Sequence, residues 1–368
     1  MSFSVSAIVP TYERGHLIGE TIESILGQSV PAREVIVVDD GSTDDTAQVC
    51  ASFGSRVCYK RIDHCGVQIA RNTGAALATS AWLALCDSDD LWLPDHLERI
   101  SNLINAHPEV RFVCNDFMYI GESIESPWTS TSNAMMAPEG FWEMAKEETG
   151  TATWILTDPI EVAAHLFDAR GWCPFWPSGT TISKSYYDQL GGYEPRMVGI
   201  PSEDFEFTFR CVINEKQIGF IAHPTVRIRT HGGNNRASLR TGRLRQTIGE
   251  ITVCCFIVRQ LSDEAYLSGK ALEMISFLSA DAMDYAFSVG RLDLVRALSL
   301  AARSKHLSFK LVIKDATARM PNLIGKWLNG MLVDARSADF APLSSQLLTR
   351  FKEEYEPIFG DWQGSNVV

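Results

Sequence analysis

The chain has 368 residues, a formal net charge of −12, 45% hydrophobic residues and 21% charged residues. A chain beyond roughly 300 residues favours one large domain with an appendage, or two domains. The globular composition excludes a largely disordered protein. Because the chain is acidic, it lacks the basic field with which proteins hold nucleic acid irrespective of sequence, and we expect no nucleic-acid partner.

Cysteine usage and hydropathy favour a cytoplasmic protein. The nine cysteines include no C-x-x-C pair and lie mostly in apolar runs, so we expect reduced, buried thiols. The first ten residues have neither a basic segment nor a long apolar stretch, so no signal peptide is predicted. The longest apolar run of the C-terminal half, 251–258, is far shorter than the roughly 20 residues of a membrane-spanning helix. Contact with the inner face of the cell membrane stays an option.

The first 115 residues alternate short apolar strands with segments of helical spacing. Strands are predicted at 5–9, 34–38, 57–61, 82–86 and 110–114, and helices at 17–28, 44–53, 67–78 and 94–106. This alternation is typical of an α/β fold whose mostly parallel sheet is covered by helices on both faces.

The alternation ends near residue 116. Residues 116–178 are predicted to be irregular and hold five of the nine tryptophans. Further elements are predicted as a strand at 180–183, a helix at 205–213, strands at 218–222 and 225–229, and only helices from about 242. We therefore expect a domain at 1–240, with halves at 1–115 and 116–240, and a C-terminal helical region at 241–368.

Polar residues follow the first, second and fourth predicted strands, where sheets of this kind bind ligands. They are Pro10-Thr11-Tyr12-Glu13, Asp39-Asp40-Gly41-Ser42 and Asp87-Ser88-Asp89-Asp90. Carboxylates at i and i+2, such as Asp87 and Asp89, repel each other unless a hard cation lies between them and a phosphate. The alternative is a solvated acidic turn that caps the next helix.

Three further motifs allow both a functional and a structural interpretation. Glu203-Asp204 opens a helical segment, where acidic residues offset the helix dipole, but a carboxylate there can also act as a general base. His231 precedes two glycines in a loop that could approach a ligand. Arg71 lies early in a helix and could face a diphosphate or solvent.

The order of these motifs resembles glycosyltransferase family 2, whose members have the GT-A fold. The resemblance covers about two thirds of the chain, does not cover 116–178 well, and ends near residue 245. The segments that carry it are SAIVPTYER (6–14), SILGQS (24–29), EVIVVDDGSTDDT (34–46), GVQIARNTG (66–74), LCDSDDLWLPDHL (85–97), GTTISKSYYDQLGGYEP (179–195), SEDFEF (202–207) and RTHGGNNRAS (229–238).

The resemblance implies an inverting enzyme that transfers a sugar from a nucleoside diphosphate, with a UDP-sugar favoured, to a glycan or a lipid-linked acceptor. It implies that Asp204 is the catalytic base, that Glu203 orients the acceptor, and that Mn²⁺ or Mg²⁺ binds at Asp89 with His231 near it. The implied nucleotide-binding residues are Pro10, Thr11, Tyr12, Glu13, Asp39, Asp40, Arg71, Asp87 and Ser88.

Other functions were weighed against this one. A non-catalytic nucleotide-sugar or glycan-binding protein of the same fold is the main alternative. A sugar nucleotidyltransferase needs a glycine-rich loop after the first strand, and PTYERGH does not fit well. The chain has no G-x-x-x-x-G-K-[ST] and no G-x-G-x-x-G after the first strand, which argues against P-loop and NAD-binding enzymes.

Two features outside the polar loops that follow the predicted strands also allow a functional interpretation. Trp172 and Trp176 could stack on an acceptor sugar, or pack locally as aromatic residues do. Between 303 and 326 six basic residues stand against one acidic residue, with apolar residues between them. A basic amphipathic segment at 303–327 could lie on an anionic membrane. A solvated helix face and a contact in a homodimer are the alternatives.

Overall fold

The computed structural model describes residues 3–121, 141–148, 152–168, 175–230, 240–261, 264–288, 290–302, 314–315, 318 and 343–359. The chain divides into two compact units. Unit 1 comprises Met1–Val198 and Glu203–Gly232, and unit 2 comprises Gly199–Ser202 and Gly233–Val368.

Unit 1 is built on one mixed sheet, which has ten strands in the described part of the chain. The strands are β1 (Val5–Thr11), β2 (Glu34–Asp39), β3 (Cys58–Arg61), β4 (Trp82–Leu85), β5 (Leu91–Trp92), β6 (Phe112–Gly121), β7 (Ala145–Glu148), β8 (Thr153–Leu156), β9 (Thr180–Ser183) and β10 (Ile218–Thr230). Their order is β3-β2-β1-β4-β9-β6-β10-β8-β7, and β5 pairs with β10. All strands run in one direction except β5, β8 and β9.

In its described residues unit 1 has seven α-helices between these strands. They are α1 (Gly15–Leu26), α2 (Thr46–Ser52), α3 (Val67–Leu77), α4 (His96–Ala106), α5 (Pro159–Asp168), α6 (Lys184–Leu190) and α7 (Glu203–Ile213). The alternating strands and helices predicted before residue 115 are confirmed, with ends that differ by a few residues.

The two faces of β1 show why the sheet is layered. Successive strand side chains point to opposite faces. Ala7 and Val9 belong to a buried cluster with Ile18 and Ile22 of α1. Ile8 faces α3, which lies so close that a Cβ on Gly74 would come within 2.4 Å of Ile8 Cγ2. Helices therefore cover both faces, as the sequence predicts.

The prediction that 116–178 is irregular is wrong for much of its described part. β6 continues to Gly121, and β7, β8 and α5 all lie in this stretch. The tryptophans help to build the packing, because the Trp142 ring lies 5.0 Å from that of Trp154 and 5.3 Å from that of Phe220. Large aromatic residues pack through shape and area without a regular apolar period, so the sequence pattern missed these elements.

Two smaller predictions are also corrected. β10 is one strand with a register shift between Ile221 and Val226, where two strands are predicted. Among the eight described cysteines, Cys58 and Cys65 are exposed, although buried thiols are predicted; the other six are buried and all eight are free.

Unit 2 is helical in its described residues. Its helices are α8 (Arg240–Gln260), α9 (Ala265–Ser288), α10 (Leu292–Ala302) and α11 (Ser345–Phe359). The Tyr355 hydroxyl donates to the carbonyl of Ala297, which ties α11 to α10 (2.9 Å). Within the residues that the structure describes, none of the helices combines the length and apolarity needed to cross a membrane.

Candidate functional site

Five strand ends meet at one edge of the sheet in unit 1. The carboxyl ends of β1, β2 and β4 lie there because these strands are parallel neighbours. β9 runs antiparallel to β4, so its amino end reaches the same edge. β10 is parallel to β6, and β6 is antiparallel to β9, so β10 also ends at this edge. This edge of the sheet is therefore where the crevice predicted from the sequence lies.

The loops after β1 and β2 are braced against each other by Glu13. Its Oε1 accepts from the backbone N–H (2.7 Å) and the hydroxyl of Thr43. Its own N–H donates to Ser42 Oγ (2.8 Å). Glu13 has a φ of 52°, a left-handed conformation that costs a non-glycine residue energy. The contacts of its side chain thus shape the rim of the crevice.

The two aspartates that end β2 are both buried and hydrogen-bonded. Asp39 accepts from the Tyr59 hydroxyl and from the N–H of Ser42. The Asp40 carboxylate accepts from the backbone N–H groups of Cys65 (2.7 Å) and Gly66 (2.8 Å). A carboxylate has about four lone-pair sites, so these bonds leave Asp40 acceptor capacity toward a further donor.

An aromatic pair stands beside Asp40. The exposed Tyr12 ring stacks on that of His64, with centroids 4.2 Å apart and an interplanar angle of 30°. His64 Nδ1 lies 3.1 Å from Asp40 Oδ2. Pro10 and Thr11 are in β1 beside Val38 and Asp39 and are buried. The first two predicted nucleotide-binding motifs therefore adjoin each other.

The acidic turn after β4 is held by Ser178, which lies just before β9. The Asp87 N–H donates to Ser178 Oγ, whose hydroxyl donates to the buried Asp90 carboxylate. The Ser88 carbonyl accepts from the Thr21 hydroxyl (3.0 Å). Loss of hydration and neighbouring carboxylates raise the pKa of Asp87, and raise the pKa of Asp90 well above its usual range. Asp90 therefore favours its protonated form at this turn.

Two arginines contact this turn. Arg14 Nε lies 3.6 Å from Asp89 Oδ2. Arg229, near the end of β10, donates from Nε to the Asp89 carbonyl and from its backbone N–H to Asp90, each at 3.1 Å. Its Nη2 donates to Glu20. These bonds hold the end of strand β10 against the acidic turn, two residues before His231 in the chain.

The donor set of the turn fits a hard divalent cation. Asp87 and Asp89 are close enough for the charge of Asp89 to raise the pKa of Asp87, a repulsion that a cation would relieve. Mg²⁺ commonly takes one or two protein carboxylates and completes its coordination with phosphate and water. The described residues contain no group of three His, Cys, Asp or Glu side chains able to hold a metal ion.

Arg71 joins the acidic turn to the Glu203-Asp204 motif. Its Nη2 donates to Asp87 Oδ1 (2.8 Å) and its Nη1 to Glu203 Oε1 (3.0 Å). The guanidinium carbon lies 4.8 Å from the centroid of the Tyr193 ring. The Arg71 side chain is only 3% exposed, so it is buried and not in contact with bulk solvent.

The first turn of α7 carries two different carboxylates. Glu203 is bound to Arg71, while Asp204 Oδ1 accepts from the N–H of Phe205 (3.0 Å). Loss of hydration and the charge of Asp204 raise the pKa of Glu203 to about 7, and Arg71 opposes that rise. Asp204 also contributes to the raised pKa of Asp87, which places its charge near the acidic turn.

The remaining predicted residues lie apart from this cluster or outside the described residues. His231 and Trp172 are outside them. Trp176 is half-buried against the core of unit 1, with its ring 5.8 Å from that of Phe117. In the basic segment 303–327 only 314, 315 and 318 are described, and Lys314 is buried and bound to Asp284.

Five residues of the site are given no role by the sequence analysis. Arg14, Asp90 and Arg229 lie inside the motifs quoted above, so their place in those motifs could have marked them as site residues. Ser178 and His64 carry no local signal, because their contacts with Asp90 and Asp40 exist only after folding.

Comparison with known proteins adds family evidence. Residues 6–165 match the sequence model of the family described as glycosyl transferase family 2. Validoxylamine A glucosyltransferase of Streptomyces hygroscopicus subsp. jinggangensis is 28% identical over 217 residues, which are 56% of this chain and 50% of that protein. Glucosyl-dolichyl phosphate glucuronosyltransferase of Haloferax volcanii is 24% identical over 195 residues, 52% of this chain and 56% of that protein.

Solved structures share the fold. The crystal structure of S. aureus TarS 1–349 in complex with UDP has a TM-score of 0.54 at 15% identity, covering 100% of this chain and 94% of that one. The complex with UDP-GlcNAc has a TM-score of 0.50 at 16% identity, covering 91% and 93%. The chain spans only about a third to a half of the first curated relatives that it matches, from 32% to 50%.

Proposed function

We propose that the protein is an inverting, metal-dependent glycosyltransferase with a nucleoside diphosphate sugar as donor, since its residues 6–165 match the sequence model of glycosyl transferase family 2. The mixed sheet with a helical C-terminal region is the GT-A fold that the sequence predicts. The observation that carries the proposal is that Arg71 donates to both Asp87 and Glu203, which joins the acidic turn to the first turn of α7, where Asp204 lies.

The proposed reaction is a single displacement. Asp204 takes the proton of the acceptor hydroxyl, whose oxygen forms a bond to the anomeric carbon. The bond from that carbon to the diphosphate breaks, the nucleoside diphosphate leaves, and the anomeric configuration inverts. Asp89 would hold Mn²⁺ or Mg²⁺, with His231 as a further candidate ligand, and the bound ion would neutralise charge on the leaving diphosphate.

We propose a uridine diphosphate sugar as the donor. Asp40, with acceptor capacity left, would receive the N3–H of the base, and Tyr12 would lie against the nucleoside. The two TarS structures of this fold hold UDP and UDP-GlcNAc. Thymine offers the same N3–H, so the donor panel below includes dTDP-sugars.

The proposed acceptor is a hydroxyl of a glycan or of a lipid-linked glycan. Segment 303–327 would bring the protein to an anionic membrane surface through its basic residues other than Lys314, which is engaged with Asp284. Sedimentation with anionic vesicles, compared with neutral ones, measures this contact. Trp172 stays the candidate for acceptor stacking, whereas Trp176 is half-buried against the core of unit 1.

Donor hydrolysis tests the proposal. With Mn²⁺ and a panel of UDP-, GDP- and dTDP-sugars, we expect release of one nucleoside diphosphate. Asp89→Ala and Asp204→Asn should each reduce the rate by at least about 100-fold. Asp188→Asn, a change at an exposed aspartate on α6, is the matched control and should keep the wild-type rate.

The alternative, a binding protein without turnover, predicts a different result. It would bind a nucleotide-sugar with metal but release no nucleoside diphosphate, even when glycan and lipid-linked acceptors are supplied. A chain that binds no nucleotide at all would contradict both functions.

A further inference from the structure

Helix α3 is fixed to the segment that leads into α7. Gln68 Nε2 donates to the Met197 carbonyl (2.7 Å). Asn72 Nδ2 donates to the Tyr193 carbonyl, and Asn72 Oδ1 accepts from the N–H of the same tyrosine, each at 2.8 Å. Because residues three and four apart share a helix face, Gln68, Arg71 and Asn72 address this segment together.

Arg71 is the charged member of this face, and its charge is already matched. Its planar guanidinium donates to Asp87 and to Glu203, which are 16 and 132 residues away in the chain. Its Nε is buried and has no hydrogen-bond partner among the described residues. A guanidinium that is 3% exposed and bridges two carboxylates is poorly placed to meet a solvent-borne diphosphate.

We infer that Arg71 is a positioning residue that holds Glu203, and with it the first turn of α7 carrying Asp204, against the acidic turn at Asp87. This inference rests on the proposed transferase function and assigns Arg71 a different part from the direct nucleotide contact that the family resemblance implies. Glu203 is then the anchor of the proposed base and not a group that touches the acceptor.

The physical reason is the tolerance of group transfer to geometry. A displacement of about 1 Å away from the reacting atoms can cost about 100-fold in rate. Since the bridge positions Asp204 without contacting the donor, its loss should lower kcat and leave donor affinity nearly unchanged. A direct phosphate contact would instead weaken donor binding.

A double-mutant cycle tests the bridge. We expect Arg71→Gln and Glu203→Ala each to lower kcat by about 10- to 100-fold. The double variant should lose no more than the worse single variant, because both changes break one link. Glu203→Gln keeps an oxygen that accepts from Arg71, so its kcat should fall less than that of Glu203→Ala. Losses that multiply in the double variant would overturn the inference.

The control is a similar arginine elsewhere in unit 1. Arg111 pairs with Glu215 (2.7 Å) and lies over the ring of Tyr186, but it precedes β6, at the opposite edge of the sheet. Arg111→Gln removes an ion pair and a cation–π contact without touching the crevice, so kcat should stay at the wild-type value. Thermal unfolding of every variant shows whether it is folded.

Two measurements separate this inference from the proposed function. Calorimetry with UDP and Mn²⁺ should give Arg71→Gln a Kd within about threefold of wild type, and a loss of tenfold or more would favour a direct contact. Hydrogen exchange needs no substrate: the amides of 203–206 should exchange faster in Arg71→Gln and at the wild-type rate in Glu203→Gln. Unchanged exchange in Arg71→Gln overturns the bridge even if the wild type binds no nucleotide.

Discussion

Ser178 illustrates how single residues support the acidic turn. Its hydroxyl donates to Asp90 and its oxygen accepts from the N–H of Asp87. Its carbonyl accepts from Trp92 Nε1 (2.7 Å), so its position is fixed from both sides. A buried carboxylate is costly unless its oxygens find donors, and the Ser178 hydroxyl and the Arg229 N–H both donate to Asp90.

Ser178→Ala should therefore destabilise the protein. Removing one partner leaves a buried polar group without its bond, which costs about 1–3 kcal/mol. Chemical denaturation of wild type and variant measures the change in the free energy of unfolding. Ser52→Ala removes a hydroxyl whose hydrogen bond is local and exposed, and it should change stability by less than about 0.5 kcal/mol. Equal effects of the two changes would contradict this role of Ser178.

At the scale of elements, the approach of α3 to β1 positions Arg71. A Cβ at Gly74 would lie 2.4 Å from Ile8 Cγ2 and 3.4 Å from Val38 Cγ2, so only glycine allows the observed spacing. The side chain of Ile8 is β-branched and fixed in the core, and it has little room to move away. The glycine that weakens the helix locally is thus what lets α3 lie on the sheet.

Gly74→Ala should lower stability although alanine favours helices. The added methyl overpacks the core at a cost of about 1–3 kcal/mol. Gly19→Ala in α1 is the matched control, since its Cβ would meet only Val49 Cγ1 at an ordinary 3.5 Å. Helix propensity should make that variant more stable by up to about 1 kcal/mol. Thermal denaturation should show a lower melting temperature for Gly74→Ala and a higher one for Gly19→Ala. A Gly74→Ala variant more stable than wild type would disprove the close approach of α3 to β1.

On the scale of the whole molecule, an acidic group with a raised pKa links folding to pH. Glu203 has an ordinary pKa of 4.5, and loss of hydration with the charge of Asp204 raises its pKa to about 7 in the folded chain. The folded state therefore binds this proton more tightly than the unfolded state. The resulting stability is fully present below about pH 4.5 and is lost as pH rises through about 7.

Glu203→Gln should flatten this part of the pH dependence. In the absence of metal and nucleotide, we expect the melting temperature of wild type to fall between pH 5 and pH 8 more steeply than that of Glu203→Gln. Exposed Glu23→Gln is the control and should keep the wild-type slope. The same slope in all three proteins would show that Glu203 is not protonated in the folded chain near neutral pH.

Local sequence determined most of the elements of unit 1 and the place of its motifs. Apolar runs at 34–38 and 82–86 predicted strands β2 and β4 because side-chain period is a property of neighbouring residues. Asp39 and Asp87 lie at or just after the ends of β2 and β4, so the sequence also predicted that both reach the same edge of a parallel sheet. Stretches without a period, such as β7 and β8, could not be predicted in this way.

Only the tertiary structure decided which of these residues meet. Arg71 and Glu203 are 132 residues apart, and nothing near either one in the chain predicts their hydrogen bond. Ser178 reaches Asp90 because β9 inserts antiparallel between β4 and β6, a strand order that no local pattern encodes. The apolar period that predicts a strand or helix depends on residues close in sequence. The hydrogen-bond partner of a side chain depends instead on the strand order and burial of the complete fold.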